Sequence, residues 1–295
     1  MTNEMDNIAS DKELSGVYPT AVHAVKNGDV EIITSLLHEY PDLVNARSQK
    51  GRTLLHHVCD WPGYFPNEIE TARKLIAAGA DINARACDPD KGETSLQWVV
   101  SSNDVAMAEM LIESGASVNG LNKDLRPLAQ ALFYGNREVA EMLVRRGATV
   151  TLEFAAGLGR VELMQSFFGV DGSLLSHAGP HTAPINDAIP SRFNQDELLE
   201  QALIYAVVNT RIESIIYLLD RGADINAMPS GFHFHGTPLH WAAAGESLDM
   251  VELLVRREAD MYAKAPKDMA TPIDIAKSRR QEEIVRLLMR LGGTH

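Results

Sequence analysis

Between Leu248 and Arg256, apolar residues stand at Leu248, Val251, Leu253, Leu254 and Val255, which is the stripe of an amphipathic helix. Just upstream, Pro238–Ala244 is short and rich in alanine, and it ends at Gly245. The pattern predicts two helices, about Pro238–Ala244 and about Leu248–Arg256, joined by a glycine turn. The small alanines allow the helices to approach closely. No stretch approaches 18 consecutive apolar residues, so nothing in the pattern predicts a membrane-spanning helix.

The same arrangement recurs along the chain. Gly79-Ala80-Asp81-Ile82-Asn83-Ala84 returns as Gly222-Ala223-Asp224-Ile225-Asn226-Ala227, with weaker copies at Gly115–Asn119 and Gly147–Val150. Thr237-Pro238-Leu239-His240-Trp241-Ala242-Ala243 has looser relatives beginning at Thr53, Thr94, Arg126 and Thr271. The two motifs keep phase: Thr94 to Gly115, Arg126 to Gly147, Gln201 to Gly222 and Thr271 to Gly292 are each 21 residues apart. Thr237 to Glu258 and Thr20 to Pro41 keep the spacing without the glycine.

This phased pair of motifs, from about Pro19 onward, resembles the ankyrin repeat, whose signature is T-P-L-H-x-A at a period of about 33 residues. The resemblance implies an all-α fold: a solenoid of about eight helix-turn-helix repeats with short β-turn fingers. Repeats are expected near residues 20, 53, 94, 126, 150, 201, 237 and 271, within an array spanning 17–295. Residues 1–16 are expected to be a polar, disordered leader. Thr is suited to cap the first helix, Pro to its first turn, and the Gly of the GAD motif to the left-handed end of the second helix. One repeat cannot bury its apolar face alone, so stacked neighbours form a continuous core. The last repeat, with Arg279, Arg280, Gln281, Glu282, Glu283 and Arg286, reads as a polar cap.

Departures from the repeat carry more information than the repeat. Thr53 to Gly79 is 26 residues, so five are inserted, falling within Asp60-Trp61-Pro62-Gly63-Tyr64-Phe65-Pro66-Asn67. Its prolines and glycine exclude helix, and its three aromatic rings suit either a cap over the gap between repeats or a partner contact. The finger Met228–Gly236 is lengthened and alternates Phe232 and Phe234 with His233 and His235, so an extended backbone would put both histidines on one face. The phenylalanines either pack on a neighbour or contribute to a contact. The finger Ala84–Glu93, which contains Cys87, reads as a solvated loop. About 28 residues, 169–196, separate the fifth and sixth repeats; this insertion is a surface excursion, a short helix near Ile185–Ile189, or a wedge dividing the array.

Composition narrows the partners. The chain has 295 residues, 45% hydrophobic and 23% charged, which is ordinary for a folded globular protein. Its 40 acidic against 27 basic residues give a net charge of −13 and argue against duplex nucleic acid or an anionic membrane surface. Two cysteines, Cys59 and Cys87, form no disulfide framework and suit a reducing, cytoplasmic setting. The polar start lacks the apolar core of a signal peptide.

Candidate chemistry is thin. His56 and Cys59 share a helical face, but His57 points elsewhere, and there are no two close ligand pairs of the kind a structural zinc site needs. The resemblance implies that His56 and His240 are structural hydrogen-bonding residues. There is no nucleophile elbow and no phosphate-binding glycine loop, so no catalytic residue, cofactor or metal is expected. Trp98 and Trp241 both follow the TPLH histidine position on first helices, which the resemblance places on the concave side.

Two functions follow. The first is an interaction module, a monomer that binds a protein or peptide on the concave surface of fingers and first helices. Its candidate residues are Asp60, Trp61, Tyr64, Phe65, Trp98, Phe232, His233, Phe234, His235, His240 and Trp241. The second is a small-molecule binder or enzyme whose pocket gathers the 60–67 loop, the 231–236 finger and the 169–196 insertion.

Overall fold

The recurring threonines initiate the recurring helices. In the computed structural model, Thr53, Thr94, Thr237 and Thr271 each take an extended backbone immediately before a first helix. Each forms a capping box with the residue three positions on. The Thr N–H donates to His56 Nδ1 at 3.2 Å, Gln97 Oε1 at 2.9 Å, His240 Nδ1 at 3.1 Å and Asp274 Oδ2 at 3.0 Å respectively. Pro238 and Pro272 occupy the first turn, where a missing N–H costs nothing.

The structure describes residues 12–86, 92–179, 195–232 and 235–292. Among these, sixteen α-helices and two short 3-10 turns account for the regular structure. Isolated extended bridges among the described residues include Arg85 with Thr94 and Phe168 with Leu174. The chain divides into two compact units, one of Met1–Pro127 with Glu138–Ala148, the other of Leu128–Arg137 with Thr149–His295.

In the first unit, α1 (Lys12–Asn27) pairs with α2 (Val30–Glu39), α3 (Leu54–Val58) with α4 (Glu68–Ala77), and α5 (Ser95–Ser101) with α6 (Val105–Glu113). α1 begins at Lys12, so residues 12–16 of the expected leader are helical, and residues 1–11 lie outside the described residues. The repeat phase marks a helix start near Thr20, but Pro19 and Thr20 both sit inside this helix. Helix ends follow the glycines: Gly79 and Gly115 have φ of +98° and +107°, the left-handed conformation that closes a helix.

An asparagine ladder ties these ends together. Asn45 Nδ2 donates to the Gly79 carbonyl (2.9 Å), while Asn45 Oδ1 accepts from the Asp81 N–H (2.8 Å). Asn83 repeats both bonds one step along, to the Gly115 carbonyl and from the Ser117 N–H. The Asn of GADIN is therefore a rung to the following repeat.

The second unit holds most of α7 (Arg126–Phe133), with α9 (Leu152–Leu158), α10 (Val161–Gln165), α11 (Gln195–Val208), α12 (Ile212–Asp220), α13 (Pro238–Ala244), α14 (Leu248–Arg256), α15 (Pro272–Ser278) and α16 (Glu282–Gly292); α8 (Arg137–Arg145) lies almost wholly in the first. Its core runs through Leu152, Leu203, Ile215, Leu239, Leu254 and Ile284, all buried. α11 begins at Gln195, upstream of the expected start at Gln201, because Glu197, Leu198, Leu199 and Glu200 are good helix formers that extend it. Of the insertion, residues 169–179 fold back: the Leu152 N–H donates to the Ala178 carbonyl, 2.8 Å, at the start of α9. The Ile185–Ile189 stretch lies outside the described residues.

Candidate functional site

The 60–67 loop connects α3 to α4 and lies along the turns that join the helices of neighbouring repeats. At one end, Asn67 Nδ2 donates to the Gly28 carbonyl at 3.0 Å. Gly28 has φ +70°, and a Cβ there would collide with the Pro66 carbonyl, so this approach needs glycine. At the other end, the Tyr64 hydroxyl donates to the Asn103 carbonyl at 3.2 Å, and Gly63 rests near Ser102. The Trp61–Pro62 bond is cis. Inside the loop, the Gly63 N–H donates to the Asp60 carbonyl (2.8 Å) and the Phe65 N–H to Glu68 Oε2 (2.8 Å). Both ends are fastened, yet Trp61 is 76% and Tyr64 63% exposed. Beside the loop lies an open recess of about 480 Å³ lined by Phe65, Asn67, Glu68, Ile69, Glu70 and Arg73.

Asp60 joins this loop to the first helices. Its carboxylate lies 3.6 Å from both Lys26 Nζ and an Arg52 guanidinium nitrogen. The same guanidinium sits 4.9 Å from the Trp98 ring centroid, a cation–π arrangement, and His56 meets Trp98 edge-on at 5.1 Å. Thus Asp60 and Trp98, both read from sequence, are linked through Arg52 in the first unit. Lys26 and Arg52 were not expected; the only sequence signal was their opposite charge to Asp60 at the matching end of the preceding helix and finger.

Beneath that surface are two buried histidines. His56 Nδ1 accepts from Thr53, which obliges Nε2 to carry the proton and donate to the Glu93 carbonyl of the next finger, at 3.2 Å. Burial lowers its pKa to about 4, offset in part by the Glu93 bond. His57, edge-on to Tyr18, is lowered to about 3, first by burial and then by Lys26 and Arg52. His240 makes the same bridge in the second unit, Nε2 donating to the Ala270 carbonyl at 3.0 Å, with its pKa also lowered by burial. His240 is a repeat-to-repeat strut in this geometry.

The lengthened finger of the second unit turns inward. Glu197 accepts from the Ser230 N–H and hydroxyl, and Gln201 Nε2 donates to the Ser230 carbonyl at 2.6 Å. Phe232 is 2% exposed. Its ring lies 6.0 Å from Phe133, 5.4 Å from Tyr205 and 5.7 Å from Trp241. Phe154 meets Tyr205 edge-on. Phe232 and Trp241 are thus brought together, in a closed aromatic cluster. Trp241 is half-buried and also borders a small recess of about 190 Å³ with Val207, Thr210 and Met250. His235 is half-buried; His233 and Phe234 lie outside the described residues, as does Cys87. Among the described residues no group of three His, Cys, Asp or Glu side chains could hold a metal, and no helix is long and apolar enough to cross a membrane. Cys59 is buried, its thiol pushed up by burial and by the nearby carboxylates.

Comparison with known proteins places these features in a family. Two family models match: Ankyrin repeats (3 copies) over residues 64–153 and Ankyrin repeats (many copies) over 203–255. The human palmitoyltransferase ZDHHC13 is 26% identical over 255 residues, covering 85% of this chain and 39% of its own length. The fowlpox virus ankyrin repeat protein FPV244 is 24% identical over 270 residues, 81% of this chain and 38% of that one. The chain therefore spans about two fifths of the length of these relatives. The crystal structure of the human ASB11 ankyrin repeat domain aligns at 19% identity and a TM-score of 0.46, covering 92% of this chain and 96% of that one. Matches on both sides of the 169–196 insertion, together with helix-capping threonines that recur in one phase, make this chain an ankyrin-repeat protein.

Proposed function

We propose that the chain is a protein-binding module, and that the first unit docks a protein or peptide on the surface running from Trp98 and Arg52 through Asp60 to Trp61 and Tyr64. The observation that carries this reading is the exposure of Trp61 and Tyr64 on a loop fastened at both ends. Exposing large rings on a pre-ordered segment forgoes burial while avoiding the ordering cost on association. Trp, Tyr and Arg are also the side chains that carry most energy at interfaces. The recess beside Phe65 and Ile69 offers an apolar floor with Glu68 and Glu70 at its rim, and the net charge of −13 favours a partner with basic surface. Ankyrin repeats mediate protein–protein interaction in general, which supports the class of partner. Within this reading the protein works as a monomer in the cytoplasm.

The test compares capture of partners from cell extract by the wild-type chain and by Trp61→Ala. Specific bands that vanish with Trp61→Ala, while the variant melts as wild type does, support the surface. Capture that survives both Trp61→Ala and Tyr64→Ala places the docking surface elsewhere. The alternative, a small-molecule pocket, loses its aromatic lining in the second unit, because Phe232 fills the space it would need to open.

A further inference from the structure

Two cations stand around one carboxylate at the start of the 60–67 loop, and neither is used up by it. Lys26 Nζ and Arg52 Nη1 each lie 3.6 Å from Asp60 Oδ2, beyond hydrogen-bond reach. Asp60 Oδ1 accepts from the Trp61 N–H at 3.0 Å. Among the described residues, no side-chain N–H of Lys26 or Arg52 reaches an acceptor, and Arg52 Nε is buried with no hydrogen-bond partner. The neighbouring arginines are in the opposite condition. Arg47 donates to the Gly51 and Arg85 carbonyls at 2.9 and 2.6 Å. Arg85 donates to the Gly92 carbonyl at 2.7 Å and to Asp124 Oδ2 at 3.0 Å. A guanidinium carries five donors, and leaving them unpaired in a half-buried place is costly.

Arg52 is nevertheless held in place. Its backbone N–H donates to Ser48 Oγ at 3.1 Å. Its carbonyl accepts from the Tyr18 hydroxyl at 2.6 Å and from the Ser48 N–H at 2.9 Å. Its guanidinium rests 4.9 Å from the centroid of the half-buried Trp98 ring, and His56 meets that ring edge-on. The Arg52 side chain keeps 27% of its surface in water and that of Lys26 keeps 40%. The result is a planar cation on an aromatic ring, beside a second cation, with one carboxylate between two positive charges. His57 registers the excess, since both Lys26 and Arg52 lower its pKa.

We propose that Arg52 and Lys26, backed by Trp98, read a carboxylate side chain in an acidic peptide segment of the docking partner. A carboxylate matches the guanidinium fork with two parallel hydrogen bonds, and the Lys26 ammonium adds a point charge. Asp60 repels the incoming group and so tempers the attraction. The proposal rests on the docking role given above and names the chemistry of one of its contacts. The net charge of −13 acts at long range and favours a partner that is basic as a whole; this subsite acts at contact and requires one acidic segment of it.

The experiment is an NMR titration of the full chain at pH 7 and low salt with acetylated, amidated tetraglutamate, with tetraglutamine as the uncharged match. The Arg52 Nε–H and Trp98 indole N–H signals are followed. Saturable shifts of both are expected with tetraglutamate and none with tetraglutamine, and binding should weaken as salt rises. Arg52→Gln should weaken binding about 10-fold, read at Trp98, and Arg52→Lys nearly as much, because the charge stays but the fork is lost. Lys26→Gln should weaken it about threefold and Asp60→Asn should tighten it about threefold, a gain that a merely structural role for Asp60 would not produce. Equal shifts with tetraglutamine, an equal response to inorganic phosphate at the same concentration, or weaker binding in Asp60→Asn overturns the proposal. The wild-type titration and Asp60→Asn decide the matter even where Arg52→Gln folds poorly. A silent tetraglutamate titration beside capture that depends on Trp61 would keep the docking surface and remove its carboxylate-reading part, so the two readings fail separately.

Discussion

The 60–67 loop and the 228–236 finger are both irregular insertions bearing aromatic rings, and they end in opposite states. In the finger, Phe232 enters a cluster of Phe133, Tyr205 and Trp241 and is lost to solvent. In the loop, Trp61 and Tyr64 stay in water although the Tyr64 hydroxyl and the Asn67 side chain fasten it to the carbonyls of neighbouring turns. The difference lies in the neighbours. Around the finger, aromatic side chains from three helices leave a ring-sized space at their meeting point. Around the loop, the adjoining turns offer backbone carbonyls and short polar residues, Gly28, Ser102 and Asn103, which anchor a main chain but provide no apolar socket. An inserted aromatic therefore says little about binding until the surface it meets is known.

The sharpest way to break this comparison is Phe232→Ala. If the finger is structural, removing its buried ring should cost about 3–5 kcal/mol, seen as a lower unfolding midpoint in urea. A loss below about 1 kcal/mol would mean that the cluster closes without Phe232 and that the finger resembles the loop after all.

Acid separates the regions next. A histidine whose pKa is lowered on folding takes up its proton more readily when unfolded, so its stabilising contribution is lost as pH falls from about 6.5 toward the folded value. His56, lowered from 6.5 to about 4, should cost the first unit on the order of 3 kcal/mol by pH 4. His57 acts in the same direction, whereas Glu68 opposes it, since an acid with a raised pKa stabilises at low pH. Amide exchange in α3, corrected for intrinsic rates, should therefore speed up between pH 6.5 and 4.5. His56→Gln should remove much of that dependence, because Gln97 already performs the same capping in the following repeat. No change in α3 across this window would show that His56 is not the neutral strut described.

Glu258 calibrates the scale outside both segments. It occupies the helix end that glycine holds at Gly79, Gly115, Gly147 and Gly222, and it does so at φ +68°. Glu258→Gly should stabilise the second unit by about 0.5–1 kcal/mol, measured as a raised unfolding midpoint.

How far these features were legible in sequence depends on how local they are. The capping Thr, the bridging His and the left-handed Gly act within a few residues of themselves, so Thr237, His240 and Gly222 could be assigned from letters and spacing. The loop could be located because five extra residues break the phase between Thr53 and Gly79. Helix starts were less legible: the repeat phase marks starts near Thr20 and Gln201, but there the chain upstream is itself helical. What the letters could not give is contact between residues far apart. Phe133 with Phe232 and Arg52 with Trp98 meet through the stacking of repeats, and no local pattern encodes which side chains then face each other.

The smallest expected effect is the most telling for function. Trp61→Ala removes the largest side chain of the loop, yet a residue 76% exposed loses little burial, so stability should change by less than about 0.5 kcal/mol. Its own N–H bond to Asp60 Oδ1 is a backbone bond and survives the substitution. The attachments at Asn67 and Tyr64 also survive, so the loop should keep its path. A drop of several degrees in the melting temperature would instead show that the indole covers the gap between repeats, and the loop would then join the finger as a structural plug. Unchanged melting together with lost capture would separate the two segments cleanly: one ring kept in water for a partner, the other spent on the core.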